Sequence, residues 1–221
     1  SLKESHRHFS HLMAIHPLGL IKADAGSGDK KIINNSLREL ERLGSSWWVG
    51  YSFSWLGSLY ARAREGDKAY EALRTFSDCF CLPNSFHVNG DQSGTKKSNF
   101  TYRPFTLEGN FAFASSLQEM LLQSHNGYID IFPAIPENWK DLSFSDLRAE
   151  GAFLVSSEMR NGEVIKIAIQ AEKGGDLIIK NPFIGKDIVS SSKTYTPENF
   201  KKEFVGLKMK KGEIITIELS K

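Results

Sequence analysis

Up to about residue 125 apolar side chains recur every three or four positions, and from about residue 127 they alternate, so the chain reads as α+β with a boundary between 1–126 and 127–221. Phe9, Leu12, Met13 and Leu20 give a first helical segment that Pro17 interrupts, followed by a loop rich in Gly and Asp over 23–29. Asp29 is placed to cap a helix whose stripe is Ile32, Ile33, Leu37, Leu40 and Leu43 and whose end is Gly44. Helices over 47–64 and 68–77, joined by the Gly66-Asp67 turn, make an αα-hairpin, with Ala69, Tyr70, Leu73 and Phe76 on the second. Residues 82–102 carry no sustained period and read as a long irregular excursion; in compact domains such loops are usually functional or flexible. A last helix over 110–124 turns Phe113, Leu117, Met120 and Leu121 toward a core. Beyond it, 128–132, 153–157, 164–169, 176–180 and 214–219 are short and rich in β-branched residues. With turn signals at Asn161-Gly162, Gly174-Gly175 and Lys211-Gly212, they predict a small antiparallel β-sandwich.

Composition narrows the partners. With 221 residues, 40% of them apolar, the chain can bury a real core in one large or two small domains. A net charge of +2, from acids and bases spread along the chain, argues against nucleic acid as a partner. No run approaches the roughly 20 apolar residues of a membrane span. Cys79 and Cys81 lie too close for an easy mutual disulfide and read as buried thiols. The first residues show neither an initiator Met nor a signal-peptide pattern, so the chain reads as an excerpt whose N-terminal part is missing.

Three clusters carry candidate chemistry. His6, Arg7, His8 and His11 supply imidazoles and a guanidinium able to hydrogen-bond sugar hydroxyls or orient a carboxylate. On a helix His8 and His11 would share a face while His6 would not. As a zinc site the cluster lacks a local fourth ligand, and solvated or core-satisfied histidines are the plain alternative. Glu108 precedes Gly109 and Asn110 at a helix start, a position that suits an ionised general base or orienting carboxylate, and equally an end cap. In the aromatic run from Trp47 to Trp55, Trp48 and Trp55 are candidates for stacking on a saccharide, against the alternative of helix packing.

The order of these motifs is more specific than any one of them. His6 to Leu12, Ala69-Tyr70, Pro104 to Phe111, Glu119 to His125, Phe132 to Pro136, Trp139 and Leu147 to Phe153 follow one another along residues 4 to about 175. The series resembles the C-terminal half of glycoside hydrolase family 95, in which HRHxSHL, PFQIDGNFG-like, EMLLQSH, LLPALP-like and GLRARGGF-like elements occur in that order. The resemblance implies the C-terminal portion of an (α/α)6 barrel followed by the β domain. It also implies inverting cleavage of terminal α-linked L-fucose or L-galactose from an oligosaccharide or glycan, with no metal or cofactor, in a secreted or periplasmic enzyme. By the same resemblance Glu108 stands for the Asp of the family's DGN element, which activates water. His6, Arg7 and His8 line the sugar pocket, with Asn110 retained beside Glu108. Glu for Asp and Ala112 for the family's following Gly are departures, and the shift of a catalytic group by about an ångström costs ~10²-fold in rate. The general acid and the water-positioning asparagines of the family lie upstream of the HRH element, so the excerpt alone is expected to be inactive. The alternative is a catalytically retired, carbohydrate-binding or structural homologue.

Overall fold

The structure is a computed structural model that describes residues 3–220. It forms two compact units: Ser1–Met120 with Pro133–Pro136, and Leu121–Phe132 with Glu137–Lys221.

The helical unit contains α1 (Ser27–Leu43), α2 (Gly50–Arg62), α3 (Gly66–Phe80) and α4 (Glu108–Leu121). On α1 the buried stripe is Ile33, Leu37 and Leu40, while Ile32 is exposed. The helix starts at Ser27, two residues before the expected cap, and Asp29 accepts the Lys22 N–H at 3.0 Å instead. The α2 helix is shorter than the expected 47–64 and is buried on nearly every side, because Ser52, Ser54, Gly57 and Ser58 are small enough to pass between neighbours where Phe53, Leu56 and Leu59 fill space. Burial of Cys79 and Phe80 continues the stripe of Ala69, Leu73 and Phe76, so α3 runs beyond the expected 68–77.

The expected first helix is absent. Only Ser10–Leu12 makes a helical turn, of the 3-10 type, and the buried residues there are Phe9, Leu12 and Ile15. Their spacing of three fits the 3-10 period, on which side chains eclipse every third residue. Met13 and Leu20 are exposed.

Within 82–102 the excursion has no helix or extended strand and is held by a Cys81–His87 bridge and by Asp91. The Asp91 carboxylate is 5% exposed and accepts the amide and hydroxyl of Ser93 and the Lys97 amide. Burial acts to raise that carboxyl, but these hydrogen bonds outweigh it and hold it below the usual range. Among the described residues no helix is long and apolar enough to cross a membrane.

The β unit holds an antiparallel sheet in the order β3 (Leu142–Ala149), β4 (Phe153–Arg160), β5 (Glu163–Ala171), β9 (Ile214–Leu219), β7 (Ile188–Ser190). Two smaller pairs are β1 (Leu122–Gln123) with β2 (Asp130–Ile131), and β6 (Gly175–Lys180) with β8 (Phe204–Met209). Burial alternates along β4, where Phe153, Val155 and Met159 face inward. Ile167 and Ile169 of β5, Ile215 and Ile217 of β9, Ile179 of β6 and Leu207 of β8 join the same core. Asn161 and Gly162, both at positive φ, link β4 to β5 as the sequence indicates. Strands β1, β3, β7 and β8 were not expected: β1 takes the end of the helix expected over 110–124, and β3 carries Ser143, Asp146 and Arg148, with a register shift between Phe144 and Leu147 that breaks its alternation.

Candidate active site

Glu108 is the exposed first residue of α4, and its position is set by what lies behind it. Fully buried His87 is wedged between the starts of α2 and α4. A Cβ added at Gly50 would lie 2.2 Å from His87 Nε2, and one at Gly109 would lie 2.3 Å from Nδ1. Only glycine lets both helix starts close on the ring. The imidazole Nδ1 lies 2.6 Å from the Thr106 carbonyl oxygen, and the His87 amide donates to Asn110 Oδ1 at 3.0 Å. Ser54 of α2 donates to the Gly109 carbonyl at 3.0 Å, and a Cβ at Gly57 would meet Ser116 Oγ at 2.5 Å. Gly109→Ala is therefore expected to destabilise the protein by about 3 kcal/mol, the upper end for overpacking, because the ring it meets is hydrogen-bonded in place. Combined with His87→Ala, the loss measured by chemical denaturation should fall at least about 1 kcal/mol short of the sum of the single losses. Simple additivity would contradict the wedge.

Arg7 and His8 reach the same place from the start of the unit. The Arg7 carbonyl accepts the Ser52 hydroxyl at 2.7 Å, and Ser52 Oγ accepts the Val49 amide at 3.2 Å, which ties the extended segment to the first turn of α2. A cleft of about 210 Å³ is bordered by Arg7, His8, Val49, Tyr51, Asn89 and Glu108. A wider cleft, about 590 Å³, shares Glu108 and Tyr51 and adds Trp55, His16, Met13 and Phe111. A third hollow, about 270 Å³, is lined by His6, His8, His11, Trp48 and Glu4.

Burial holds His8 below its ordinary range, with Arg7 and His6 adding to the effect. Burial takes His16 down to about 4; Glu119 opposes this and Arg62 reinforces it. Arg62, last in α2 and 8% exposed, makes a bidentate pair with Glu119 of α4 at 2.6 and 2.8 Å. A carboxylate, a guanidinium, an imidazole and an amide around one small cleft can accept a proton from water and hydrogen-bond the hydroxyls of a polar ring.

The sequence candidates fall into three groups. Glu108, Arg7 and His8 border one cleft, and Trp55 shares the wider one with Glu108 while donating its indole N–H to the His16 carbonyl at 3.1 Å. His6 stands outside the Glu108 clefts and contacts His8 edge-on, with ring centres 5.3 Å apart. The segment is not helical there, so His6 joins His8 and His11 around the third hollow. Trp48 is 4% exposed and packed edge-on against Phe9 and Phe53, at 4.9 and 5.3 Å, so nearly all of its ring is given to the core. The Asn110 amide is taken up by the backbone of His87 and Ser85 and clamps the loop to α4. His16, His87, Asn89 and Thr106 were missed. Single polar residues in aperiodic sequence carry no spacing signal; the glycine at position 109 was the one hint of a close approach.

A curated relative, alpha-L-fucosidase 2 of Arabidopsis thaliana, is 28% identical over 170 residues, which is 76% of this chain and 19% of the relative. The chain thus spans about a fifth of the length of that curated protein. A solved β-L-arabinofuranosidase of family 127 from Geobacillus stearothermophilus aligns over 86% of this chain and 40% of its own, with 10% identity and a TM-score of 0.31, too distant to bear on fold or function. Residues 123–217 match the model described as the glycoside hydrolase family 95 C-terminal domain. Residues 1–121, more than half of the chain and the whole of the Glu108 cleft, match the glycosyl hydrolase family 95 catalytic domain, and to that family this chain belongs.

Proposed function

We propose that this chain forms one side of the active site of a glycosidase that cleaves terminal α-L-fucosyl linkages, or the closely similar L-galactosyl ones, with inversion. The observation that carries the reading is the meeting of Glu108, Arg7 and His8, from opposite ends of the helical unit, around one polar cleft. Glu108 accepts a proton from water as the water attacks the anomeric carbon. Arg7 and His8 hold hydroxyls of the sugar. An acid from a segment outside this chain protonates the leaving oxygen, about 6.5–9.5 Å from the base in inverting enzymes. On this reading the helical unit is the C-terminal portion of an (α/α)6 barrel, the β unit is an antiparallel sandwich, and the enzyme works on glycans outside the cell or in the periplasm. The 221 residues alone turn nothing over, since the mechanism needs both groups.

The test is the full-length polypeptide on an aryl α-L-fucoside, with the released sugar followed by proton NMR. β-L-Fucose should appear first and then mutarotate. First appearance of the α anomer would remove inversion. Binding of fucose without turnover would favour the retired homologue, which the Glu at position 108 in place of the family's Asp already makes a specific rival.

A further inference from the structure

We infer that Asn89 is a sugar-contacting residue of the Glu108 cleft, held with its NH2 end toward that cleft by a hydrogen-bond chain that begins at His87. The inference rests on the reading that this cleft takes a sugar. His87 Nδ1 lies 2.6 Å from the Thr106 carbonyl oxygen, and a carbonyl can only accept, so this nitrogen carries the ring proton. The same Nδ1 is 2.8 Å from Thr106 Oγ1, whose lone pairs can take the second branch of that bond. The Thr106 hydroxyl proton is then directed at Asn89 Oδ1, 3.1 Å away.

The acceptor end of the Asn89 amide is thereby engaged inside the protein. The backbone of Asn89 is held as well: its N–H donates to the Pro104 carbonyl at 3.2 Å and its carbonyl accepts the Gly50 amide at 3.3 Å. What Asn89 offers the cleft it shares with Glu108, Arg7 and His8 is the Nδ2 donor pair. The carboxylate is acceptor-only, so the cleft needs fixed donors for the oxygen atoms of hydroxyls, and Asn89 adds one to those of Arg7. Asn89 therefore helps decide which polyol ring binds, and Thr106 and His87 are positioning residues.

The experiment compares the full-length wild type with Asn89→Leu, Asn89→Asp, Thr106→Val and Thr106→Ser, by kinetics on an aryl α-L-fucoside and by calorimetric Kd for L-fucose. Asn89→Leu should raise KM and Kd at least about tenfold with kcat changed less. Asn89→Asp, which keeps the shape and loses the donors, should weaken binding at least as much. Thr106→Val should cost about threefold to fivefold in Kd, and Thr106→Ser should recover most of it; a merely structural Asn89 would show neither the loss nor the rescue. Wild-type values within twofold for Asn89→Leu or Asn89→Asp overturn the inference. A wild type that binds L-fucose but hydrolyses nothing defeats the glycosidase reading alone, and Asn89 is then judged on Kd. A wild type that binds no L-fucose overturns both.

Discussion

Glu108→Gln in the full-length polypeptide should lower kcat on an aryl α-L-fucoside by about 10³-fold, within the 10²–10⁴ that a positioned general base supplies. Gln keeps the length and the hydrogen-bonding oxygen of the side chain but cannot take a proton from water. KM should change little, because the hydroxyl contacts proposed for Arg7, His8 and Asn89 would be kept, and the thermal midpoint should hold because the side chain is exposed. Glu108→Asp is the informative companion. It restores the residue type implied by the family resemblance but draws the carboxylate back by one methylene, in a site whose backbone is fixed by the His87 wedge. A loss near 10²-fold is expected if the cleft is built around the longer acid. A Gln variant within tenfold of wild type would remove Glu108 from the chemistry.

The second large effect lies deeper in the helical unit. Glu119→Leu removes the carboxylate that accepts both Arg62 hydrogen bonds, in a setting where Arg62 is 8% exposed and its Nη1 has no hydrogen-bond partner among the described residues. Stranding a buried guanidinium in this way costs about 3–5 kcal/mol, which corresponds to a fall of roughly 10 °C in thermal midpoint. The double replacement Arg62→Met with Glu119→Leu should recover much of this, since the desolvation that burdens the lone charge is then removed with it. Calorimetry on both single variants and the double variant decides. A double variant as unstable as the sum of the singles would mean that the pair contributes through packing.

The sequence was most legible where periodicity and packing agree. The α1 stripe, the α2–α3 hairpin and the Asn161-Gly162 turn follow from apolar spacing and turn chemistry alone. The pattern misleads where it is ambiguous between periods: Phe9, Leu12, Met13 and Leu20 fit a helical spacing, but the buried set is Phe9, Leu12 and Ile15 around a single 3-10 turn. It failed also on β3 and β8, whose exposed polar positions dilute the alternation. At the site, local pattern offered Glu108, Arg7 and His8 as candidates beside plainer alternatives, and the order of the motifs, through the family resemblance, gave them their roles. Trp48 shows the reverse: an aromatic suited by chemistry to a sugar is committed to the core by the rings around it. His87, Asn89 and Thr106 were invisible because their relation is tertiary, a set of hydrogen bonds across an aperiodic loop.

The contact at Gly57, where Ser116 Oγ occupies the room a methyl group would need, acts like the notch of a ratchet. It indexes α4 against α2, and through Ser52 against Arg7, so the carboxylate and the guanidinium are registered by two backbones and not by loop length. A residue inserted into 91–97 would disturb the Asp91 clasp but leave this helix register intact. One inserted between Glu108 and Ser116 would swing the acid about 100° around the helix axis and out of the cleft. Natural length variation in this protein should therefore collect before α4 and spare its first two turns.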